Sequence, residues 1–272
     1  MTQNQKALRF RALHQRPGAF LIPNPWDVGS ARILAGVGFQ ALATSSAASA
    51  NVQGRKDHEL TRDEALTHAR AIVNATHLPV SADLGNGFGD APEVVAETIR
   101  RAAEVELVGC TIEDATGNSD TPLYDFNLAV ERVAAAVEAA RGLSFPFMLT
   151  ARTHIFLFAN SSLGETLRRL QAFEKTGAQV LFAPGLPDIG AVHKVCAAIS
   201  RPFNFMVGIK GKSFSVRELE EAGVKRISFA TSFYRAAMTG FLNAVREVQD
   251  KGEFSFLNDS ITTPELNKLM GI

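Results

Sequence analysis

The sequence predicts an α/β chain folded as a single (β/α)₈ TIM barrel. Three observations carry the barrel. The chain has 272 residues, 46% of them hydrophobic, which is the usual size for one barrel domain. Short apolar runs alternate with helix-like segments through eight units. The runs are continuous rather than alternating, as expected of parallel strands covered on both faces.

The eight runs are AFLIP (19–23), ALATS (41–45), PVSAD (79–83), VGCTIED (108–114), FMLTAR (147–152), QVLFAP (179–184), FNFMVG (203–208) and RISFA (226–230). Helices are predicted over 28–37, 61–75, 91–105, 125–141, 161–176, 188–199, 215–222 and 232–250. Thr61 and Glu64 have the spacing of a capping box, and Pro92 suits the first turn of the third helix. Glycine recurs just before the next strand, as in Thr176-Gly177-Ala178 and Ala222-Gly223-Val224, where it can end a helix in the left-handed conformation. No GxGxxG follows the first run, which argues against an open dinucleotide-binding sheet. With no linker or low-complexity tract in view, the barrel spans 1–250. The tail 251–272 is expected to pack on the barrel or on a neighbouring subunit.

Lysine plus arginine total 28 and aspartate plus glutamate total 28. A net charge of zero gives no electrostatic footprint for nucleic acid or an anionic membrane. No apolar run approaches the roughly 20 residues that span a bilayer, and the first residues lack a secretory apolar stretch. Cys110 and Cys196 have no metal-ligand spacing, so a cytoplasmic protein with free thiols is expected.

In a barrel the C-terminal ends of the strands converge on one mouth. Those ends carry Asn24, Asp27, Ser45, Ser46, Asp83, Glu113, Asp114, Arg152, His154 and Asn204. Asp83 and Glu113 end adjacent strands, and two close carboxylates repel unless a proton or cation lies between them. A hard divalent cation, Mg²⁺ or Mn²⁺, suits such an oxygen-only site. Arg152 offers a planar fork for a carboxylate or phosphonate. A cation beside an arginine forms a receptor for a small anionic 2-oxo acid, the cation stabilising an enolate while the arginine holds the acid group.

SADLGNGFG (81–89), CTIED (110–114) and LTART (149–153) resemble, in this order, signature segments of the phosphoenolpyruvate mutase/isocitrate lyase superfamily. NPWDVGSARI (24–33), TSSAASA (44–50), GRKDHELT (54–61), FAPGL (182–186) and GVKRISFA (223–230) extend the resemblance over about residues 10–245. The resemblance implies that Ser45 and Ser46 cradle the substrate's acid group and that Arg152 binds the anion. Trp26 and Asn204 complete the substrate-binding candidates. It also implies that Asp83 and Glu113 hold Mg²⁺ directly or through water, with Asp57 as an outer carboxylate. The chemistry implied is C–C or P–C bond cleavage or formation beside a 2-oxo acid, in a homodimer or homotetramer that exchanges its eighth helix.

The chain also departs from that pattern. Gly85 stands where the DxDxGxG-type motif has its second acid, which removes one metal-site carboxylate. GNSDTPLYD (117–125) has neither the cysteine nor the lysine expected on the loop after strand four. An isocitrate or methylisocitrate lyase and a phosphonate mutase are both disfavoured by that loop. Decarboxylation or hydrolysis of an oxaloacetate-like substrate needs neither residue. His154 replaces the usual acid two positions after the arginine and is a candidate general acid/base.

Structural readings of the same residues stay open. Asp27 has the context of a helix cap, Arg152 could neutralise the two carboxylates, and His154 could be packing. Two other functions also stay open: a 2-oxo-acid-binding homologue with a weakened metal site, and a Schiff-base aldolase using Lys210 or Lys212.

Overall fold

The computed structural model describes residues 1–158 and 162–272. The helix start expected at 161, and part of the 154–162 loop, fall on residues 159–161 and lie outside the described residues. All eight predicted strands are present: β1 (Phe20–Ile22), β2 (Leu42–Ala43), β3 (Val80–Asp83), β4 (Gly109–Glu113), β5 (Met148–Arg152), β6 (Val180–Phe182), β7 (Phe203–Met206) and β8 (Arg226–Ser228). They pair in parallel in the order β1-β8-β7-β6-β5-β4-β3-β2. The ends of that order meet where the Ala43 N–H donates to the Pro23 carbonyl at 3.0 Å. Asn24 reinforces this join. Its amide donates to the Thr44 carbonyl at 2.9 Å and accepts from the Phe229 N–H at 2.9 Å.

The helices between strands are α2 (Val28–Gly36), α4 (Arg62–Ala75), α5 (Pro92–Glu104), α6 (Phe126–Arg141), α7 (Leu163–Thr176), α8 (Ile189–Ala198), α9 (Val216–Glu221) and α10 (Ser232–Lys251). The capping box of Thr61 and Glu64 forms, and Gly177 ends α7 with φ at 103°. The main core lies between barrel and helices, around Leu66, Val95, Ile99, Leu149, Leu170 and Phe173.

Three helices were not predicted. α1 (Gln3–Gln15) closes the N-terminal mouth of the barrel. Its Ala7, Phe10 and Leu13 cluster with Phe20, Ile22, Val108, Met148 and Val180 at the strand beginnings. α3 (Ser46–Asn51) is a short turn between β2 and α4. α11 (Thr263–Met270) lies against α2, where Gly36 is required because the Leu269 carbonyl stands where a Cβ would go. By contrast α10 has no buried residue and leaves Phe241 60% exposed. Among the described residues, no helix is long and apolar enough to cross a membrane.

Candidate active site

Inward positions alternate along each strand, so Asp83, Glu113 and Arg152 at the ends of β3, β4 and β5 face one another. Arg152 Nη1 lies 3.5 Å from Asp83 Oδ2 and 3.3 Å from Glu113 Oε2. Ser46 Oγ donates to Asp83 Oδ2 at 3.2 Å, and the Asp83 N–H donates to Thr44 Oγ1 at 3.2 Å. His154 Nε2 approaches Glu113 Oε2 to 2.9 Å, but the ring nitrogen and the carboxylate lack hydrogen-bond alignment, so this contact is electrostatic. The guanidinium also lies 4.8 Å over the ring of Phe182.

The two carboxyls differ in charge behaviour. Burial is the largest influence on Asp83 and raises its pKa; Arg152 pulls it down, while Glu113 and Asp57 push it further up. Burial also opposes the ionisation of Glu113. The positive charges of His154 and Arg152 outweigh it and hold that carboxyl at about 2. Glu113 Oε1 is buried with no hydrogen-bond partner, as is Arg152 Nε. An orphaned buried oxygen beside a second carboxylate is a donor set that a hydrated hard cation can complete. Among the described residues, no three His, Cys, Asp or Glu side chains form a ready-made cage, so such a cation would keep most of its waters.

Asp83 and Thr44 form part of the wall of a cavity of about 760 Å³ that opens between the loops after β2, β3 and β4. Ser46, His58, Gly85, Asn86 and Thr116 also line it. The loop after β3 is held from beneath by the fully buried Arg132 of α6, whose guanidinium donates to the carbonyls of Asn86, Gly89 and Asp90. Gly85 (φ 54°) and Gly87 (φ 83°) give that loop its left-handed turns. The 115–125 loop closes on itself. Ala115 and Leu123 form an antiparallel bridge, and Thr116 Oγ1 donates to the Thr121 carbonyl at 2.6 Å.

The other sequence-selected residues divide into two groups. Ser45 caps α3 and accepts from the Ala48 N–H at 3.4 Å. Asp57 lies on the same cavity's side of the molecule, 3.9 Å from His58 Nε2, in a pair too exposed to contribute much stability. Two expected mouth residues lie elsewhere. Asn204 is the second residue of β7, deep in the lumen rather than at the strand's end. Its amide donates to Ser228 Oγ at 3.0 Å and accepts from Arg226 Nε at 2.7 Å. Trp26 packs edge-on against Tyr234 of α10 with ring centroids 5.6 Å apart, and it does not line the cavity at the mouth. Asp114 is structural, accepting from Thr153 Oγ1 at 2.7 Å and Arg169 Nη1 at 3.0 Å. Lys210 is exposed and Lys212 donates to the Gly185 carbonyl at 3.1 Å; neither has the desolvated strand position of a Schiff-base lysine. Sequence reading gave His58 and Thr44 too little weight. Their signal was adjacency: one follows Asp57, and the other opens the Thr-Ser-Ser run.

The family model described as phosphoenolpyruvate phosphomutase matches residues 10–249. The chain belongs to the phosphoenolpyruvate phosphomutase family. Within this family, it is 30% identical to an oxaloacetate decarboxylase of Marinomonas sp. (strain MWYL1), over 90% of this chain and 87% of that one. A crystal structure from Burkholderia cenocepacia J2315, provisionally assigned as a lyase/mutase, is 49% identical, with a TM-score of 0.97 over 99% of this chain and 97% of that one. The 2,3-dimethylmalate lyase structure, a member of the PEP mutase/isocitrate lyase superfamily, is 26% identical, with a TM-score of 0.87 over 98% and 95%. The chain is therefore an enzyme of the lyase or phosphonomutase type.

Proposed function

We propose that this family member is a Mg²⁺-dependent enzyme that cleaves a C–C bond of a small 2-oxo acid, with decarboxylation (the bond from the α-carbon to the distal carboxyl) or hydrolysis (the bond beside the keto carbon) of an oxaloacetate-like substrate as its reaction. The observation that carries the proposal is the meeting of Asp83, Glu113 and Arg152 at one strand end, under a cavity of about 760 Å³ bounded by Asp83. The likeness to oxaloacetate decarboxylase supports the substrate class.

Asp83 and Glu113 would hold the cation, which supplies Lewis-acid polarisation of the keto oxygen when bound. Ser46, already a donor to Asp83 Oδ2, fixes that carboxylate's orientation. Ser45 and Ser46 open α3 beside the cavity and supply hydroxyls for the acid group. Arg152 offers its guanidinium to the substrate carboxylate once one of its two carboxylate partners is neutralised. In decarboxylation the C–C bond breaks, its electron pair enters an enolate and CO₂ leaves. A proton then adds at carbon to give the product acid. His154, with Nε2 2.9 Å from Glu113, would hold that proton.

The test is turnover with Mg²⁺ against a panel of 2-oxo diacids and phosphonopyruvate. We expect activity on an oxaloacetate-like acid that chelator abolishes. No turnover across the panel, with thermal stability unmoved by Mg²⁺ plus oxalate, sinks the proposal. Arg152 bridging both carboxylates, with Gly85 in place of an acid, favours a second reading: a 2-oxo-acid-binding homologue with weak metal affinity. Oxalate binding that ignores chelator would select it.

The unburied α10, with its exposed Phe241 and Leu242, supports a homodimer or homotetramer in which this helix packs on a neighbouring barrel. Free thiols at Cys110 and Cys196 suit a cytoplasmic setting.

A further inference from the structure

Arg226 begins β8 and points into the barrel lumen, 4% exposed. Its Nε donates to Asn204 Oδ1 at 2.7 Å, but its Nη1 is buried without any partner. Among the described residues, no carboxylate pairs with it. A buried guanidinium normally lies against an acid, because leaving a charge desolvated and unpaired is costly. Burial pushes the Arg226 pKa down to about 9. Nor does the plug helix relieve it. His14 beneath is held neutral, at about 3, by burial and by Arg226's own charge, and its Nε2 is unpartnered.

Arg226 faces a cavity of about 40 Å³ in the lumen, directly below Asp83 and Thr44. Arg152, whose Nε is likewise buried and unpartnered, forms another wall. Its polar lining is hydroxyl and amide, from Asn24, Ser45, Ser81, Thr111, Asn204 and Ser228, set among apolar groups that include Ile22, Phe182 and Met206. Asp83 is the single carboxylate on this wall, and with Glu113 it already balances Arg152, so Arg226 is the guanidinium left without an acid. One water needs about 10–15 Å³, so the space admits about three or four waters or one small anion.

We infer that this lumen cavity is a binding site for a small inorganic anion of halide size, held between Arg226 Nη1 and Arg152 Nε. Such an anion supplies the counter-charge that the fold leaves out for Arg226. It also braces the underside of Arg152 while Nη1 faces the two carboxylates above. The site lies below the mouth and shares Ser45, Asp83 and Arg152 with the proposed active site, but its occupancy does not depend on the proposed reaction. Thr44 and Asp83 border both cavities, so entry is from the mouth.

The experiment uses wild-type protein with bromide and chloride as probes. Crystals grown without halide and soaked in bromide should give an anomalous peak in the lumen, within hydrogen-bond reach of Arg226 Nη1. At equal ionic strength, the Tm in chloride should exceed that in gluconate, an anion too bulky for the cavity, by about 2 °C or more. Arg226→Gln should lose this chloride response while keeping whatever response to Mg²⁺ the wild type has. Bromide-independent water density in the cavity, with equal Tm in chloride and gluconate, overturns the inference. Both wild-type measurements are independent of the variant, so they decide the matter even if Arg226→Gln fails to fold.

Discussion

Replacing Arg152 with methionine removes one positive charge from between two buried acids, and its cost can be worked from the contacts. At 3.3 and 3.5 Å, each ion pair represents about 5 kcal/mol of gross attraction at an effective dielectric of about 20. Desolvation of the guanidinium offsets much of this, and breaking a buried pair from one side typically costs ~3–5 kcal/mol net. The side chains of Arg152, Asp83 and Glu113 are 11%, 17% and 2% exposed, so solvent screens little of it. For a chain of this size that loss lowers Tm by roughly 6–20 °C. The pH dependence has a defined sign. Arg152 lowers the pKa of both carboxyls, so both rise when it is lost. Asp83, already raised, favours the fold below its unfolded value and loses that contribution as pH climbs through its folded value. Glu113 stabilises above its unfolded value near 4.5 and loses that as pH falls toward about 2. Without Arg152 the deficit is therefore greatest at neutral pH and shrinks on acidification, as both acids take up protons. Urea unfolding of wild type and R152M between pH 5 and pH 8 is the assay. A loss under about 1 kcal/mol, or one that grows toward acid, refutes the reasoning.

Two further outcomes are expected. Gly85→Asp restores a third carboxylate facing His58 Nδ1, in a loop whose left-handed backbone costs roughly 1–2 kcal/mol for a non-glycine residue. Calorimetric Mg²⁺ affinity should nevertheless rise several-fold, and unchanged affinity would mean that the cation does not sit at Asp83. Gly36→Ala places a methyl against the Leu269 carbonyl and should release α11 from α2. Limited proteolysis should then cut before Thr263 while the barrel's far-ultraviolet dichroism persists; an uncut tail would show that α2 can yield there.

Every strand of the barrel was legible because parallel strands buried on both faces write themselves as apolar runs. The interstrand helices carried caps and terminal glycines in their own sequence. The missing helices carried such marks too, with capping boxes at Thr2–Gln5 and Thr262–Glu265 and Gly271 ending α11, but they lie outside the eightfold strand–helix alternation. α1 has a mixed face in which Lys6 and His14 are buried beside Phe10, so its polar composition concealed its plugging role. α3 is six residues of serine, alanine and asparagine, whose helical fate is set by Ser45 as cap. At the candidate site, the meeting of Asp83, Glu113 and Arg152 was legible because they end neighbouring strands, where alternation fixes their direction. Asn204 was misplaced by two residues of strand length, since β7 runs on to Met206 and carries the mouth past it. Trp26 was unreadable because its partner, Tyr234, comes from the far end of the chain. Arg226 gave no signal at all: a charged residue at a strand's first position looks solvated until α1 covers it.

The closure between β1 and β2 has a mechanical meaning. Seven edges of the wall are continuous ladders, whereas the eighth is one backbone stitch from Ala43 to Pro23, with Asn24 lashing Thr44 to Phe229 across the gap. The cylinder is thus a rolled ribbon pinned at its rim, and the pin stands beside Ser45 and Ser46. A ligand on those hydroxyls would therefore sit one residue from the seam, where the wall is held by the fewest bonds.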